Sequence, residues 1–509
     1  MKNIYNVLIL LLIFSGCSKT EKNKKLVEVV APFVEAAQKP FYHGVASGDP
    51  LHDRVVIWTR ITPEDSLESI VVNWEVAEDP AFVSVYKADS VITTPSRDYT
   101  VKADVDGLKP GRFYYYRFKA LGYTSMTGRT KTAAVQTDSA AFAIVSCSNW
   151  EFGYFNAYQK IAERELDAVV HLGDYIYEYP VGGYGDTTIG RKHLPVHEIV
   201  TLQDYRTRYS QYHLDKGLQK ARQRHPFITI WDDHEVANNV FKEGAQNHQQ
   251  EEGDFETRKA AARQAYYEWL PIREGKSHYR SFSFGDMADL IMLDERLEGR
   301  TKPVDSLSDP NYESEAQSML GAAQLDWFKT TLAQSKAIWK IIGNQVIFSE
   351  VDQSGPFPSA PRNLDSWDGY PYEQKLVATY LQEQALKNII FITGDTHASW
   401  AFEVADLKKY NPKTSAGAYA IELGTPSISS SNWNEYSSDD TVKLGEQTLL
   451  KANPHLKYGN ARDHGYLLLH TNVERAKAEW WYVSTLRTPD AEEHLGKRMI
   501  VFKDTNKLQ

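Results

Sequence analysis

Five short apolar runs in this sequence each end in side chains that bind metals or phosphate. They are Cys147 with Asn149, Asp174 with Tyr177, Asp233 with His234, Asn344 with Gln345, and Asp395 with His397. The densest stretch is Trp231-Asp232-Asp233-His234-Glu235, where three carboxylates and a histidine follow the run that starts at Pro226. Gathered charge at the end of a buried strand is costly unless a cation or partner offsets it. The plain alternative is a helix cap with acidic residues in its first turn. One such strand end fits that alternative; five, all offering ligand atoms, do not. The donors also sort by chemistry. Thiolate (Cys147) and phenolate (Tyr177) favour a strongly Lewis-acidic ion such as Fe³⁺. Asp233, Asn344 and Asp395 are hard oxygen donors suited to Ca²⁺, Mg²⁺ or Mn²⁺. Asp174 lies between the two groups and is placed to bridge. The pattern implies an unequal two-metal site of the kind that serves in-line displacement at phosphorus.

Such donors meet only if the elements beneath them do. From 139 onward, short apolar strands alternate with helical patterns, which predicts an α/β layered domain over 139–505. In open α/β sheets the ligand site lies beyond the carboxyl ends of the strands. Strands are expected at 141–146, 168–172, 226–230, 288–293, 339–342, 388–393, 418–423, 466–470 and 478–483. Helices are expected at 155–166, 257–270, 322–335 and 373–386. The segment 182–223 reads as polar connection. Residues 41–135 differ: about seven short runs rich in branched and aromatic residues, such as Val55-Val56-Ile57-Trp58, predict a β-sandwich of immunoglobulin or fibronectin type.

The chain has 509 residues and a formal net charge of −10, so bulk charge indicates no nucleic-acid-binding surface. The N-terminus reads as a signal. Lys2 precedes an apolar run over 7–14, too short to span a bilayer, followed by Ser15-Gly16-Cys17. Residues 1–16 are expected to be a signal peptide. Residues 17–40 are expected to tether the folded body to the membrane. For the two cysteines, Cys17 and Cys147, a disulfide is the default in an exported protein; if Cys17 carries a lipid instead, Cys147 is a lone thiol, for which metal ligation is one reason.

Several motifs resemble the alkaline phosphatase D (PhoD-like) family of metallophosphoesterases. They are Cys147-Ser148-Asn149, Gly173-Asp174-Tyr175-Ile176-Tyr177, the run Trp231 through Asn239, and Gly394-Asp395-Thr396-His397. Cys17 after Ser-Gly likewise resembles a bacterial lipoprotein box. The family resemblance runs from about residue 41 to 483. It implies a two-sheet, calcineurin-like α/β domain behind the β-sandwich. It also implies an iron site formed by Cys147, Asp174, Tyr177 and His397. The resemblance further implies that Asp174 bridges to a second metal, expected to be calcium, held by Asp233 and Asp395, with Asn344 as a further candidate and Asn238 as a lesser one. The implied activity is hydrolysis of organic phosphate esters by a metal-bound hydroxide. His234 is the expected general acid, Asp233 supports the reaction, and Arg296 is placed to hold a phosphate oxygen, with a salt bridge to neighbouring acids as its alternative. Asp232 and Glu235 are expected as supports. His171, His225, Trp231 and Trp400 read as packing residues, and Ser427 to Ser431 as a polar turn lining the site. The expected partners are a phosphate ester and a membrane, the expected state an exported, lipid-anchored monomer. The competing reading is a non-catalytic lipoprotein that binds through its sandwich domain.

Overall fold

The computed structural model describes residues 34–489 and 491–509. The signal segment, Cys17 and most of the tether lie outside them. Two large sheets carry the mixed α/β architecture. The nine-stranded sheet runs, edge to edge, Glu493–Phe502, Arg475–Val483, Gly465–Asn472, Ser139–Val145, Ala168–His171, Pro226–Thr229, Val45–Gly48, Val55–Arg60 and Thr100–Val105. Its centre is parallel, from Ser139–Val145 through Val45–Gly48. The seven-stranded sheet runs Arg280–Phe284, Ala288–Met292, Trp339–Asn344, Ile389–Thr393, Ala418–Gly424, Ser399–Ala405 and Leu456–Asn460, again with a parallel centre.

These parallel strands are buried on both faces, which is why they read as unbroken apolar runs. One face of each sheet meets the other sheet across a shared core that includes Ile144, Val170, Leu290, Ile341 and Ile392. The outer faces take the helices. Asn156–Ala162, Leu202–Tyr212, Lys216–Arg224 and Phe255–Trp269 cover the nine-stranded sheet, and Gly321–Gln334 and Pro371–Glu383 cover the other.

The structure adds two features to the sequence reading. The segment 182–223 is not simply polar connection, because it contains two helices. The first opens with a capping box between Thr201 and Asp204 and buries Tyr205, Tyr209 and Tyr212, an aromatic stripe at helical spacing. The N-terminal β-rich region is also joined to the main sheet. Val45–Gly48, Val55–Arg60 and Thr100–Val105 are one layer of its sandwich, and they continue the nine-stranded sheet through the parallel pair Ser47 with Pro226. The other layer is built from Ile70–Ala77, Val85–Thr93, Phe113–Ala120, Tyr123–Thr124 and Gly128–Lys131. Ile57, Val72, Trp74, Val101 and Tyr116 fill the space between.

Candidate active site

The donor residues lie just past the carboxyl ends of parallel strands from both sheets. Cys147 follows Ser139–Val145, Asp174 follows Ala168–His171, Asp233 follows Pro226–Thr229, and Asp395 and His397 follow Ile389–Thr393. The sheets are stitched together at this end. Ser146 bridges to Ser427, and the Thr425 hydroxyl donates to the Ile144 carbonyl at 2.9 Å.

The backbone is strained where the donors sit. Cys147, Asp174, Asp395 and His397 have φ of 60°, 54°, 63° and 54°. Left-handed backbone costs an L-residue about 1–2 kcal/mol, and such outliers concentrate at functional sites. Gly173, at φ 107°, permits a close approach: a Cβ there would lie 2.3 Å from the backbone nitrogen of Asp232.

Three sets of potential ligand atoms each lie within 4.8 Å of one another: Cys147, Asp174 and His397; Asp174, Asp233 and His234; and Asp232, Asp233 and Asp395. Asp174 joins the first set to the second, and Asp233 the second to the third. The Tyr177 hydroxyl donates to Asp174 Oδ2 at 2.8 Å and lies 3.2 Å from His397 Nε2. His397 Nδ1 lies 2.8 Å from the Ser431 carbonyl, which can only accept. The proton is therefore on Nδ1, and the Nε2 lone pair faces the cluster. Oδ1 of Asp174 and Oδ2 of Asp232 are buried without a hydrogen-bond partner.

Burial pushes the carboxyls of Asp174 and Asp232 well above the usual range. Asp395 rises to about 7, burial outweighing the pull of Arg296. Burial also raises the Cys147 thiol and the Tyr177 phenol, reinforced in both by the charge of Asp174. A cation among these groups would satisfy the orphaned oxygens and favour the anionic donors. The residues therefore fit the two-metal expectation.

His234 is held differently. Burial alone would lower its pKa, but Asp233, Glu178 and Asp174 together raise it well above the ordinary histidine value. Its Nδ1 is 2.6 Å from Glu178 Oε2, and its ring packs 4.3 Å from that of Tyr177. Glu178 also accepts from the backbone of Asn238 at 2.7 Å and the side chain of Asn247 at 2.8 Å, so its own position is fixed. Glu235 is a brace. It accepts from the backbone N–H groups of Tyr175 at 2.6 Å, Asp232 at 2.8 Å and Asp174 at 3.2 Å.

Arg296 is fully buried, and its guanidinium is committed to carboxylates. Nε donates to Asp232, Nη1 to Asp365 at 2.7 Å and Nη2 to Asp395 at 2.9 Å. The salt-bridge alternative thus describes it here, although its acids are distant in sequence and are not Asp294 or Glu295. Arg300 donates to the same Asp365. Asn344 is buried with its amide turned to Val346 and its oxygen 3.2 Å from Trp367 Nε1, and no hydrogen bond ties it to the donor cluster. Asn149 and Asn238 likewise bond to Tyr184 and Gln246.

His171 accepts from the Gly173 N–H at 3.2 Å amid tyrosine rings, and Trp231 stacks on His278 at 3.5 Å. Ser427, His464 and Glu435 form a hydrogen-bonded row of 2.8 and 3.1 Å that superficially resembles a hydrolase triad. Ser427 is wholly buried and donates to the Ser430 carbonyl at 2.7 Å, which makes the row a brace for the turn that ends at Ser431. Sequence reasoning missed Glu178, Asp365 and Tyr184, whose hydroxyl lies 2.7 Å from Ser431 Oγ and 3.3 Å from His397 Nδ1. Glu178 adjoins a quoted motif and was within reach; Asp365 carries no local signal.

Comparison with known proteins places this site in a class. Residues 142–480 match the PhoD-like phosphatase family, and residues 28–134 match the PhoD-like phosphatase N-terminal domain. The chain is 35% identical over 494 residues to alkaline phosphatase D of Bacillus subtilis (strain 168), covering 92% of this chain and 82% of that protein. It superposes on a solved structure of PhoD with a TM-score of 0.84 and 33% identity, covering 93% of this chain and 92% of the other. The protein is a phosphoric ester hydrolase. It belongs to the PhoD-like phosphatase family.

Proposed function

We propose that the protein is an exported, metal-dependent phosphoesterase that releases phosphate from organic phosphate esters. The observation that carries this reading is the linked set of donor triads, with Asp174 shared between the first two and Asp233 between the last two. Cys147, Asp174, Tyr177 and His397 would hold one metal, and the thiol and phenol favour Fe³⁺ there. Asp233 and Asp395, together with Asp174, would hold the second, and their oxygens suit Ca²⁺, with Mg²⁺ or Mn²⁺ also accommodated. Asp232 belongs to the same oxygen cluster, and Asn344 would reach it only by giving up its contact with Trp367. When bound, such metals supply Lewis acidity, offsetting phosphoryl charge and lowering the pKa of water.

The chain's own residues do the rest. Glu178 holds His234 by Nδ1 and favours its charged form, leaving Nε2–H to protonate the departing alkoxide. Asp233 and Asp174 reinforce that protonation state. Glu235 fixes the two turns that carry Asp174 and Asp232 relative to each other. A calcineurin-like arrangement of the two layered sheets is part of this reading, supported by the strand ends of both sheets contributing donors.

The enzymatic class sets aside the non-catalytic binding reading. A signal peptide over 1–16 and a lipid on Cys17 would tether the monomer to a membrane, periplasmic or surface-facing; Cys17→Ser would then release it from the membrane fraction. The direct test of function is hydrolysis of p-nitrophenyl phosphate and bis-p-nitrophenyl phosphate, with iron and calcium varied. Activity in wild type that is lost in Cys147→Ala is expected. Equal activity in both, or full activity after rigorous metal removal, would overturn the reading.

A further inference from the structure

A cavity of about 330 Å³ opens directly beside the donor cluster. Asp395 and Thr396 form its inner wall, so it begins where the phosphoryl group would be held. Away from them the lining turns apolar and aromatic, through Trp400, Phe402, Trp433 and Phe357. We propose that this cavity receives the alcohol portion of the ester and that the group it fits is an aromatic ring. The proposal rests on the phosphoesterase reading above.

Three observations carry it. First, the ring of Trp400 is tied to the centre. Its Nε1–H donates to Thr396 Oγ1 at 2.9 Å, and Thr396 stands between Asp395 and His397. A ligand ring against Trp400 is thereby registered to the reacting atoms. Second, the far wall is also aromatic. Trp433 meets Trp400 edge-on at 6.3 Å, and Phe357 meets Trp433 edge-on at 5.1 Å. Such an array offers ring faces and edges in the offset and T-shaped arrangements that aromatic pairs prefer. Third, Phe357 is 39% exposed yet held in place. Its loop closes on itself through Gln353 N–H to the Pro361 carbonyl at 3.0 Å, Phe357 N–H to Gln353 at 2.9 Å and Ala360 N–H to Phe357 at 3.0 Å. The loop holds an exposed ring at the mouth of the cavity.

The cavity size sets the class of occupant. It lies near the lower end of the roughly 300–1,000 Å³ typical of small-molecule sites. That accommodates a single or fused ring rather than a long polymer segment. The polar side chains of the lining, among them Asn363, Ser366 and Asp368, give the ring a place for edge hydroxyl or amine groups.

The test uses the full chain loaded with metal and three alkyl phosphates whose alcohols have closely similar acidity: ethyl, 2-phenylethyl and 2-cyclohexylethyl phosphate. Matched acidity removes leaving-group chemistry from the comparison. The expected kcat/KM ratio for 2-phenylethyl over ethyl phosphate is about 10–100, in line with the discrimination an apolar pocket gives. The cyclohexyl ester is expected to fall at least threefold below the phenyl ester. Trp433→Leu and Phe357→Leu are each expected to cut the phenyl-to-ethyl ratio at least fivefold, and Trp433→Phe to retain most of it. A ratio near one, or a ratio that neither leucine variant changes, overturns the assignment while leaving the phosphoesterase intact. Equal rates for phenyl and cyclohexyl esters overturn the aromatic preference. Absence of hydrolysis of all three esters and of p-nitrophenyl phosphate overturns the underlying reading instead.

Discussion

Asp174→Asn separates the structural cost of the site from its chemical use. Asp174 is buried, its Oδ1 has no hydrogen-bond partner, and burial together with the charges of Asp233, Asp232 and Glu235 opposes its ionisation against the pull of His234. An unsatisfied buried polar group costs about 1–3 kcal/mol, more when charged. Asparagine is nearly the same shape and tolerates the left-handed backbone that Asp174 adopts at φ 54°. Its oxygen can still accept from Tyr177, and its amide can donate where Oδ1 has no partner. In chelator, the variant is therefore expected to be more stable than wild type by about 1–3 kcal/mol. With metal the order reverses. A ligand present at 1,000 times its dissociation constant stabilises a protein by about 4.1 kcal/mol, and the variant loses that gain with the Asp174 carboxylate. The assay is thermal melting of both proteins in chelator and in added iron and calcium, alongside hydrolysis. The curves should cross, and the variant should be inactive. A variant less stable than wild type in chelator, or a wild type whose melting ignores added metal, would refute the reasoning.

Other expectations follow from the same geometry. His234→Asn should lower kcat for an alkyl phosphate by about 10²–10³-fold, within the range of a general acid, but by less than about tenfold for p-nitrophenyl phosphate, whose leaving group needs little protonation; equal losses on both substrates would remove His234 from the proton-donor role. His225 is buried, donates its Nε2–H to the Ile161 carbonyl at 3.2 Å, and is held down to about 3 by burial. Its folded pKa lies below the unfolded value near 6.5, so its neutral form contributes stability above pH 6.5 that is lost as pH falls toward 3. Between pH 7.5 and 4.5 the loss amounts to about 2.5 kcal/mol. His225→Gln should flatten that part of the stability profile, as read by denaturant midpoints at the two pH values, and an unchanged profile would count against it.

Much of the site was legible because chemistry and topology coincide in it. A parallel strand buried on both faces shows as an apolar run, and the residue after such a run lies at the sheet's carboxyl edge. Cys147, Asp174, Asp233, Asp395 and His397 each follow such a run, and they lie together at that edge. What the sequence concealed depends on distant partners. Arg296 sits beside Asp294 and Glu295 in the chain yet pairs with Asp232, Asp365 and Asp395, a choice made by how the two sheets stack. The helix Leu202–Tyr212 escaped because its buried face is built of tyrosine, arginine and glutamine rather than aliphatic residues, although Tyr205, Tyr209 and Tyr212 carry the helical period. The sharing of a sheet between the sandwich and the phosphatase core rests on Ser47 pairing with Pro226, which no local pattern reports.

Arg296 is outnumbered by the acids around it. The carboxyls gathered here are Asp174, Asp232, Asp233, Asp365, Asp395, Glu178 and Glu235, while the cations are Arg296, Arg300 and a protonated His234. The guanidinium of Arg296 is the main counterion for the oxygen-rich half of the site, and each of its bonds goes to an acid. Three of its five N–H groups are so engaged, which leaves at most two for a phosphate oxygen. Removing one partner of a buried ion pair costs about 3–5 kcal/mol because the other charge is left uncompensated. Arg296→Met should therefore destabilise the protein in chelator by about that amount. If Asp233 and Asp395 hold a divalent cation, that ion takes over part of the counterion role. Added calcium should then recover a larger share of stability in Arg296→Met than it adds to wild type, as measured by the shift in melting temperature on titration. A calcium response no larger in the variant would mean that guanidinium and cation do not serve the same carboxylates, and that Asp395 belongs to Arg296 alone.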